Sequence, residues 1–504
     1  MSREKGSNMT TISQLITDFV AKSIEIGTLD ALDRIYTENK LLHIFGLNEL
    51  QPVEPSDPLP VSRLDILDQL IQHAVEAEII ADREADRDTF GALLMDTTTP
   101  LPSEVNRTFW EKHAESPQVA TDYFYQLSQQ TNYIKTREIA KNIAFTHASE
   151  FGEIEITINL SKPEKTTEEI RLAQQASSDY PVNKLCIENE GYYGHLAHPG
   201  RSNHRVIRFG LGEDGSDKWG FQYSPYSYYD EHSIFFSLEH RPMNINGATI
   251  RNLIEVLEYL PHYFVGSNAG LPIVGGSILS HDHYQGGNYT FPLDKQAMRY
   301  EFELKDHPVK AGIVDWPMSV IRLQSADKEA MVEAASYVIE QWRAYSNEAL
   351  GILAQTEGTP HNAVTPILRR DGECFILDLV LRNNRTTADY PEGLFHPHPD
   401  VQHIKKENIG LIEVLGLAIL PPRLKSELQA VQDALLGQAV EVAEIHQPWL
   451  ERMEEKYTDV TADNVIEIVQ SEVGNIFVRV LKDAGVFKLD QAGQAGFRAF
   501  VDSL

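Results

Sequence analysis

The residues best suited to chemistry lie in one short stretch, Gly275-Gly-Ser-Ile-Leu-Ser-His281-Asp-His283-Tyr-Gln285-Gly-Gly287. On an extended backbone successive side chains alternate, so His281, His283 and Gln285 are expected on one face, spaced for a common ligand. A neutral imidazole is a competent nucleophile toward phosphorus, because an unperturbed pKa of about 6.5 leaves most of it unprotonated at neutral pH. Gln285 has no proton to give in acid catalysis, yet its amide can hydrogen-bond a phosphoryl oxygen and stabilise charge there. The glycines at 275, 276, 286 and 287 lack a Cβ and are expected to let a bulky group approach the backbone, with N–H groups facing anionic oxygens. Such a site suits a leaving group already stable as an anion, for example a phosphate. Zinc binding or core hydrogen bonding by a bare His-x-His is the competing expectation. A dinuclear metallohydrolase fits less well, since Tyr284, Gly286, Gly287 and Asn288 follow where further acidic or His ligands would be wanted.

The elements that position this stretch are read from periodicity. Ile12, Leu15, Ile16, Phe19 and Val20 recur at helical spacing, and residues 10 to 150 read mainly as helices, with a Pro-punctuated stretch at Pro52, Pro55, Pro58 and Pro60. At Gly152 the pattern changes: Ile154, Ile156, Ile158 and Leu160 alternate with polar residues as in a half-buried strand. Strands are expected over His204 to Phe209, Trp219 to Tyr223 and Ser233 to Leu238. A helix follows with Ile250, Leu253, Ile254 and Leu257 on one face, and another over about Asp327 to Leu350. Apolar runs Ala363 to Leu368 and Cys374 to Leu381 flank Arg370-Asp371-Gly372 and read as a hairpin. The last stretch is helical, with Ile466, Val469, Val473 and Ile476 on one face. The class is α+β, divided into 1–150, 151–325 and 326–504.

Composition excludes several functions. The 504 residues carry 44 Lys plus Arg against 74 Asp plus Glu, a formal charge of −30, which is the wrong sign for a protein that tracks nucleic-acid phosphates. A local cluster of Arg, Lys and N–H groups can still hold a small anion. With two cysteines, Cys186 and Cys374, there is no disulfide framework, so a reducing cytoplasm is expected. No apolar leader or run long enough to span a membrane is read, and residues 1–8 ahead of Met9 receive no structural role.

The motif His281-x-His283-x-Gln285 is similar to the active-site strand of the histidine-triad superfamily, in its nucleotidyltransferase branch where Gln replaces the third His. Longer stretches resemble the second, bacterial type of galactose-1-phosphate uridylyltransferase: Pro102-Ser-Glu-Val-Asn-Arg107, Ala120-Thr-Asp-Tyr-Phe-Tyr125, Thr157-Ile-Asn-Leu-Ser-Lys-Pro-Glu-Lys165, Glu188-Asn-Glu-Gly-Tyr192, Asn203-His-Arg205, Gln222-Tyr-Ser-Pro-Tyr226, Glu239-His-Arg-Pro-Met243 and His403-Ile-Lys-Lys-Glu-Asn-Ile-Gly-Leu-Ile-Glu413. The resemblance spans about residues 95 to 425. It implies two histidine-triad-like antiparallel sheet units with added terminal helices: a helical region 1–150, the nucleophile-bearing unit 151–325, and a second sheet-containing unit with C-terminal helices 326–504.

It further implies a ping-pong exchange of UMP between UDP-glucose and galactose 1-phosphate, with His283 as nucleophile, Gln285 on the non-bridging oxygens and His281 beside them as an orienting group or, alternatively, a metal ligand. No cofactor is implied, nor a nucleic-acid or membrane partner, and a homodimer is. Zinc is not expected, because the place where the first type of the family has a Cys-x-x-Cys pair reads Asn183-Lys-Leu-Cys186; Cys186 is expected to be a small buried residue.

Candidate substrate contacts in the matching segments are Lys162, Arg201, Asn203, Arg205 and Asn268, with Arg241 beside His240. Arg369, Arg370, Arg382, Arg385, Lys405 and Lys406 form a basic excess that a hexose phosphate would explain. Tyr223, Tyr226, Tyr228 and Tyr229 are expected to pack in strands with hydroxyls outward, the alternative being stacking on uracil or a sugar; His396-x-His398 is expected to form a surface turn, and Asp230 stands where the resembled pattern has Asn. Two rivals remain: another enzyme of the superfamily acting on a different nucleotide, and a non-catalytic sugar-nucleotide binding protein.

Overall fold

The alternation that begins at Gly152 does form a strand, but its partners lie far away in sequence. The computed structural model describes residues 11–162, 171, 180–195, 198–212, 214–276 and 278–504. Met9, the motif residues Pro163-Glu-Lys165 and Ser277 lie outside them. Contacts divide the chain into two interleaved units. The first comprises residues 1–136, 163–209 and 219–225, and the second 137–162, 210–218 and 226–504.

The first unit is helical. Helices Ile12–Glu25, Arg34–Ile44, Arg63–Glu76 and Glu84–Asp96 bury one apolar stripe each, and Leu15, Ile16, Phe19, Leu41, Ile66, Leu70 and Leu94 form a shared core. Pro102–Glu115 and Pro117–Gln130 each start with proline in the first turn, where its missing N–H has no intrahelical partner to lose.

The second unit holds a small sheet and most of a large one. Strands β1 (Ile143–Ser149) and β2 (Gly152–Ile158) form an antiparallel hairpin. β1 falls inside the stretch read as helical, since its pattern is too short to override the helical context. Strands β3 (Ile207–Leu211) and β4 (Asp217–Tyr223) each contain one of the crossings of the chain between units. They are followed by β5 (Ser233–Ser237), β6 (Phe264–Gly266), β7 (His283–Gly287), β8 (Met298–Phe302), β9 (Lys310–Val314) and β10 (Val320–Ser325). After the two-residue strands β11 (Gln355–Thr356) and β12 (Thr359–Pro360) come β13 (Asn362–Asp371), β14 (Cys374–Asn383) and β15 (Leu417–Leu420).

Within this unit the order is β5-β7-β6-β13-β14-β10-β9-β8, antiparallel throughout, so the two sheet-forming stretches join into one run through β6 and β13. β15 adds in parallel to β2, a pairing no local pattern announces. Helix Gly247–Tyr259 opens on a capping box in which Asn246 accepts from the Ala248 and Thr249 amides and Thr249 accepts from the Asn246 N–H. Its buried face is the expected Ile250, Leu253, Ile254 and Leu257. With helix Lys328–Ala344 it packs on β13. Helix Val465–Ala484 approaches β1 closely at Gly474, where a Cβ would lie 2.2 Å from the His147 ring. Val469 and Val473 on it are buried, whereas Ile466, expected on the same face, is 53% exposed. The helical termini and antiparallel sheet together are an α+β fold.

Candidate active site

β7 is an interior strand, paired on one side with β5 (Ile234 opposite Gln285, Phe236 opposite His283) and on the other with β6 (Gly266 opposite Gln285). Because the ladder begins at His283, His281 is presented from the bend before it and does not share the strand, which corrects the single extended stretch expected from spacing.

The imidazole of His283 is buried, and its Nδ1 lies 2.8 Å from the His281 carbonyl oxygen. A carbonyl oxygen only accepts, so Nδ1 carries the proton and Nε2 keeps its lone pair. Burial pushes the His283 pKa down to about 4, with the His281 carbonyl opposing and the His281 ring assisting. The side chain is thereby a neutral imidazole in one tautomer. His281 is itself buried and its Nε2 donates to the Ser237 carbonyl at 2.8 Å, tying the bend to the end of β5.

Gln285 is half-buried, and its Oε1 accepts from His232 Nε2 at 3.1 Å. An amide held by its oxygen turns its NH₂ away from the holder, which makes that NH₂ available to an acceptor. His232 lies one residue before β5, stacked on Tyr228 and Tyr229 with centroid separations of 5.5 and 4.6 Å. Sequence reasoning missed it, since only the β5–β7 register brings it beside a residue 53 positions away. Two of the four tyrosine hydroxyls turn inward, contrary to expectation: Tyr229 donates to the Gly286 carbonyl at 3.0 Å, and Tyr223, in the other unit, to that of Thr121 at 3.2 Å.

The glycines divide into two kinds. A Cβ at Gly286 would stand 2.5 Å from the Phe264 carbonyl, and one at Gly287 2.7 Å from that of Glu231, so these two permit strand packing and do not open the backbone to a ligand. Gly275 and Gly276 take φ of +129° and +53° in the loop after β6. Around Gly275 a Cβ would meet only ordinary contacts, among them Asn268 Oδ1 at 3.5 Å and the Ile409 carbonyl at 3.7 Å.

Asn268 and Arg382 converge on that carbonyl's segment. Asn268 Oδ1 accepts from the Leu411 N–H at 2.9 Å, and Arg382 Nη2 donates to Ile409 O at 2.9 Å. Arg382 is only 1% exposed, and its Nε and Nη1 have no hydrogen-bond partner among the described residues. Burial pushes its pKa down to about 10, against the opposing charge of Glu413. A buried guanidinium with unused donors is prepared for an anion.

The other candidate cations are differently placed. Lys405 is buried, with Nζ 3.0 Å from Glu413 Oε1 and 2.9 Å from the Ile419 carbonyl, and Lys406 is exposed and pairs with Glu392 at 3.0 Å. Arg241 is occupied by Asp217 at 2.7 Å and Asp282 at 3.2 Å, and Arg369 by Asp378 at 2.8 Å and Asp294 at 3.2 Å. Much of the basic excess in the second half is therefore matched internally. Lys162 is exposed. In the first unit, Arg205 spends its N–H groups on Pro100 O, Ser202 O, His204 O, Thr99 O and Asp96 Oδ1, the last at 2.8 Å. Asn203 donates to Thr131 O at 2.8 Å, and Arg201 to Lys184 O at 3.0 Å.

Cys186 is buried, its Sγ 3.1 Å from the Asn183 carbonyl, and burial raises its pKa. His396 is buried against Asn408, not on a surface turn. No group of three His, Cys, Asp or Glu suited to a metal occurs among the described residues, and no described helix is long and apolar enough to cross a membrane.

Comparison with known proteins shows the family of the chain. The family profile described as galactose-1-phosphate uridyl transferase, N-terminal domain, matches residues 27–242, and the one for the C-terminal domain matches residues 255–451. The chain is 52% identical over 474 residues to the galactose-1-phosphate uridylyltransferase of Pediococcus pentosaceus, covering 94% of this chain and 96% of that protein. It is 51% identical over 494 residues to one from Streptococcus pneumoniae (97% and 99% covered), and 50% identical over 490 residues to that of Streptococcus thermophilus (97% and 98%). A strand presenting a single-tautomer histidine beside a glutamine amide thus sits in a chain that belongs to the galactose-1-phosphate uridyl transferase family.

Proposed function

We propose that this protein is a UDP-glucose:hexose-1-phosphate uridylyltransferase, acting in the cytoplasm, that moves UMP from UDP-glucose to galactose 1-phosphate through a covalent intermediate on His283. The observation that carries this is the state of His283: neutral, locked as the Nδ1–H tautomer by the His281 carbonyl, with Nε2 bearing the lone pair. In the first half reaction Nε2 attacks the α-phosphorus of UDP-glucose, the P–O bond to the β-phosphate breaks, and glucose 1-phosphate leaves with the electron pair. The resulting uridylyl-histidine is an activated phosphoramidate. In the second half reaction a phosphate oxygen of galactose 1-phosphate attacks the same phosphorus, the P–N bond breaks, and UDP-galactose forms while Nε2 recovers its lone pair.

Each leaving group is stable as it departs, so the site needs no general acid, and positioning plus electrostatic stabilisation supply the acceleration. As charge builds on the imidazole in the first step, the His281 carbonyl at 2.8 Å from Nδ1 stabilises it. The Gln285 NH₂ donates to a non-bridging oxygen of the transferred group. Arg382, with two unused donor atoms, and Asn268 beside it receive a phosphate of the hexose 1-phosphate. Residues 151–325 supply the nucleophile and 326–504 this cation. Arg205 and Lys405 are assigned to holding the fold, because their donors are already engaged.

The test separates this reading from its rivals. Incubated separately with UDP-glucose plus galactose 1-phosphate and with a diadenosine polyphosphate, the protein turns over only the first. Turnover of the second alone assigns a different nucleotide substrate, and binding of UDP-glucose without exchange in any pairing assigns a binding protein.

A further inference from the structure

We infer that His232 is a positioning residue for the transfer step: it holds the Gln285 side-chain oxygen so that the amide NH₂ is the end offered to the phosphoryl group. This rests on the role proposed above for Gln285. An amide side chain has two orientations related by a half-turn, nearly equal in shape and opposite in polarity. One offers N–H to an anionic oxygen and the other offers a carbonyl oxygen, which repels it. Selecting between them takes a fixed donor on the carbonyl side, and His232 Nε2 at 3.1 Å is that donor.

The surroundings of His232 show that the ring is kept for this one bond. It is 4% exposed, and its Nδ1 is buried with no partner among the described residues. Leaving a ring nitrogen orphaned costs free energy that a phenyl ring at the same place would not. For packing alone, between Tyr228 and Tyr229 at interplanar angles of 28° and 30°, phenylalanine would serve as well. What only the imidazole adds is the N–H toward Gln285. The ring is also referenced to the reacting strand: Tyr229, stacked on it, donates its hydroxyl to Gly286 O at 3.0 Å, next to Gln285. Burial keeps the ring neutral, its pKa pushed down to about 4, so the donor does not compete for the phosphate as a charge.

The experiment compares single-turnover uridylylation by UDP-glucose, and UDP-glucose affinity measured separately, in the full-length protein. His232→Phe, which keeps the stack and removes the donor, is expected to slow uridylylation about 10- to 100-fold with affinity changed less than about threefold. His232→Gln, whose Nε2 reaches about as far as the histidine Nε2, is expected to restore most of the rate. In a Gln285→Ala background His232→Phe is expected to add less than about a threefold effect, since the group it positions is gone.

His232→Met replaces the phenylalanine variant if that protein does not fold. A full-rate donor-less variant, failure of His232→Gln to recover rate, or an undiminished effect in the Gln285→Ala background overturns the inference. The underlying role of Gln285 fails separately, if Gln285→Ala alone leaves the uridylylation rate unchanged.

Discussion

Arg382→Met is expected to make the protein more stable and less able to use its acceptor. Burial pushes the Arg382 pKa well below the ordinary guanidinium value, down to about 10. At 1.36 kcal/mol per unit that is a cost of about 3 kcal/mol for holding the charge in the empty site. Methionine removes the cost and gives up one hydrogen bond to Ile409 O, worth about 1 kcal/mol. The net expectation is a gain of about 2 kcal/mol in denaturant unfolding without ligand, seen as a higher midpoint at unchanged slope. The same substitution deletes the partner of a buried phosphate, a loss of about 3 kcal/mol or more, which raises the KM for galactose 1-phosphate at least about a hundredfold. Uridylylation by UDP-glucose alone is expected to fall much less. A variant that is less stable than the parent and binds galactose 1-phosphate normally would refute the assignment of Arg382 to an anion and make it a structural cation.

Other outcomes follow from the same geometry. His283→Asn is expected to abolish exchange, by roughly a thousandfold or more, while UDP-glucose binding in calorimetry stays within a few-fold. His283, His232 and His403 all have folded-state pKa values of about 4, below the unfolded value of 6.5. The unfolded chain therefore binds more protons between those pH values, and stability must fall as pH drops through about 6.5 toward 4; each contributes a loss of about 2 kcal/mol by pH 5. A flat stability profile from pH 7.5 to 5 contradicts this, and His232→Phe is expected to shallow the slope. Arg205→Met is expected to cost about 3 kcal/mol or more, since it removes the buried guanidinium that pairs with half-buried Asp96 and leaves several carbonyls without donors; the enzyme that remains folded at low temperature keeps its KM for both substrates.

What was legible in the sequence was what depends on neighbours in the chain. The helix with Ile250 to Leu257 and the hairpin around Gly372 each declare themselves within a few residues. Partners distant in sequence stayed hidden. β1 and β15 are strands because β2 stands beside them, and His232 matters because the β5–β7 register lays it against Gln285. The same distance limits the reading of cations: Arg205 and Arg382 look alike in sequence, yet one meets a carboxylate 109 positions away and the other meets no partner for two of its donor atoms among the described residues. His281 shows the complementary error, since a period-two pattern was extended one residue pair beyond the true start of the strand.

The central claim is that His283 Nε2 carries the uridylyl group, and mass spectrometry of the intact protein mixed with UDP-glucose in the absence of acceptor addresses it most directly. The account predicts a uridylyl increment, mapped to His283 by peptide analysis at mild pH and discharged on addition of galactose 1-phosphate. An increment on another residue, or none while exchange between the two sugar phosphates proceeds at full rate, would contradict it.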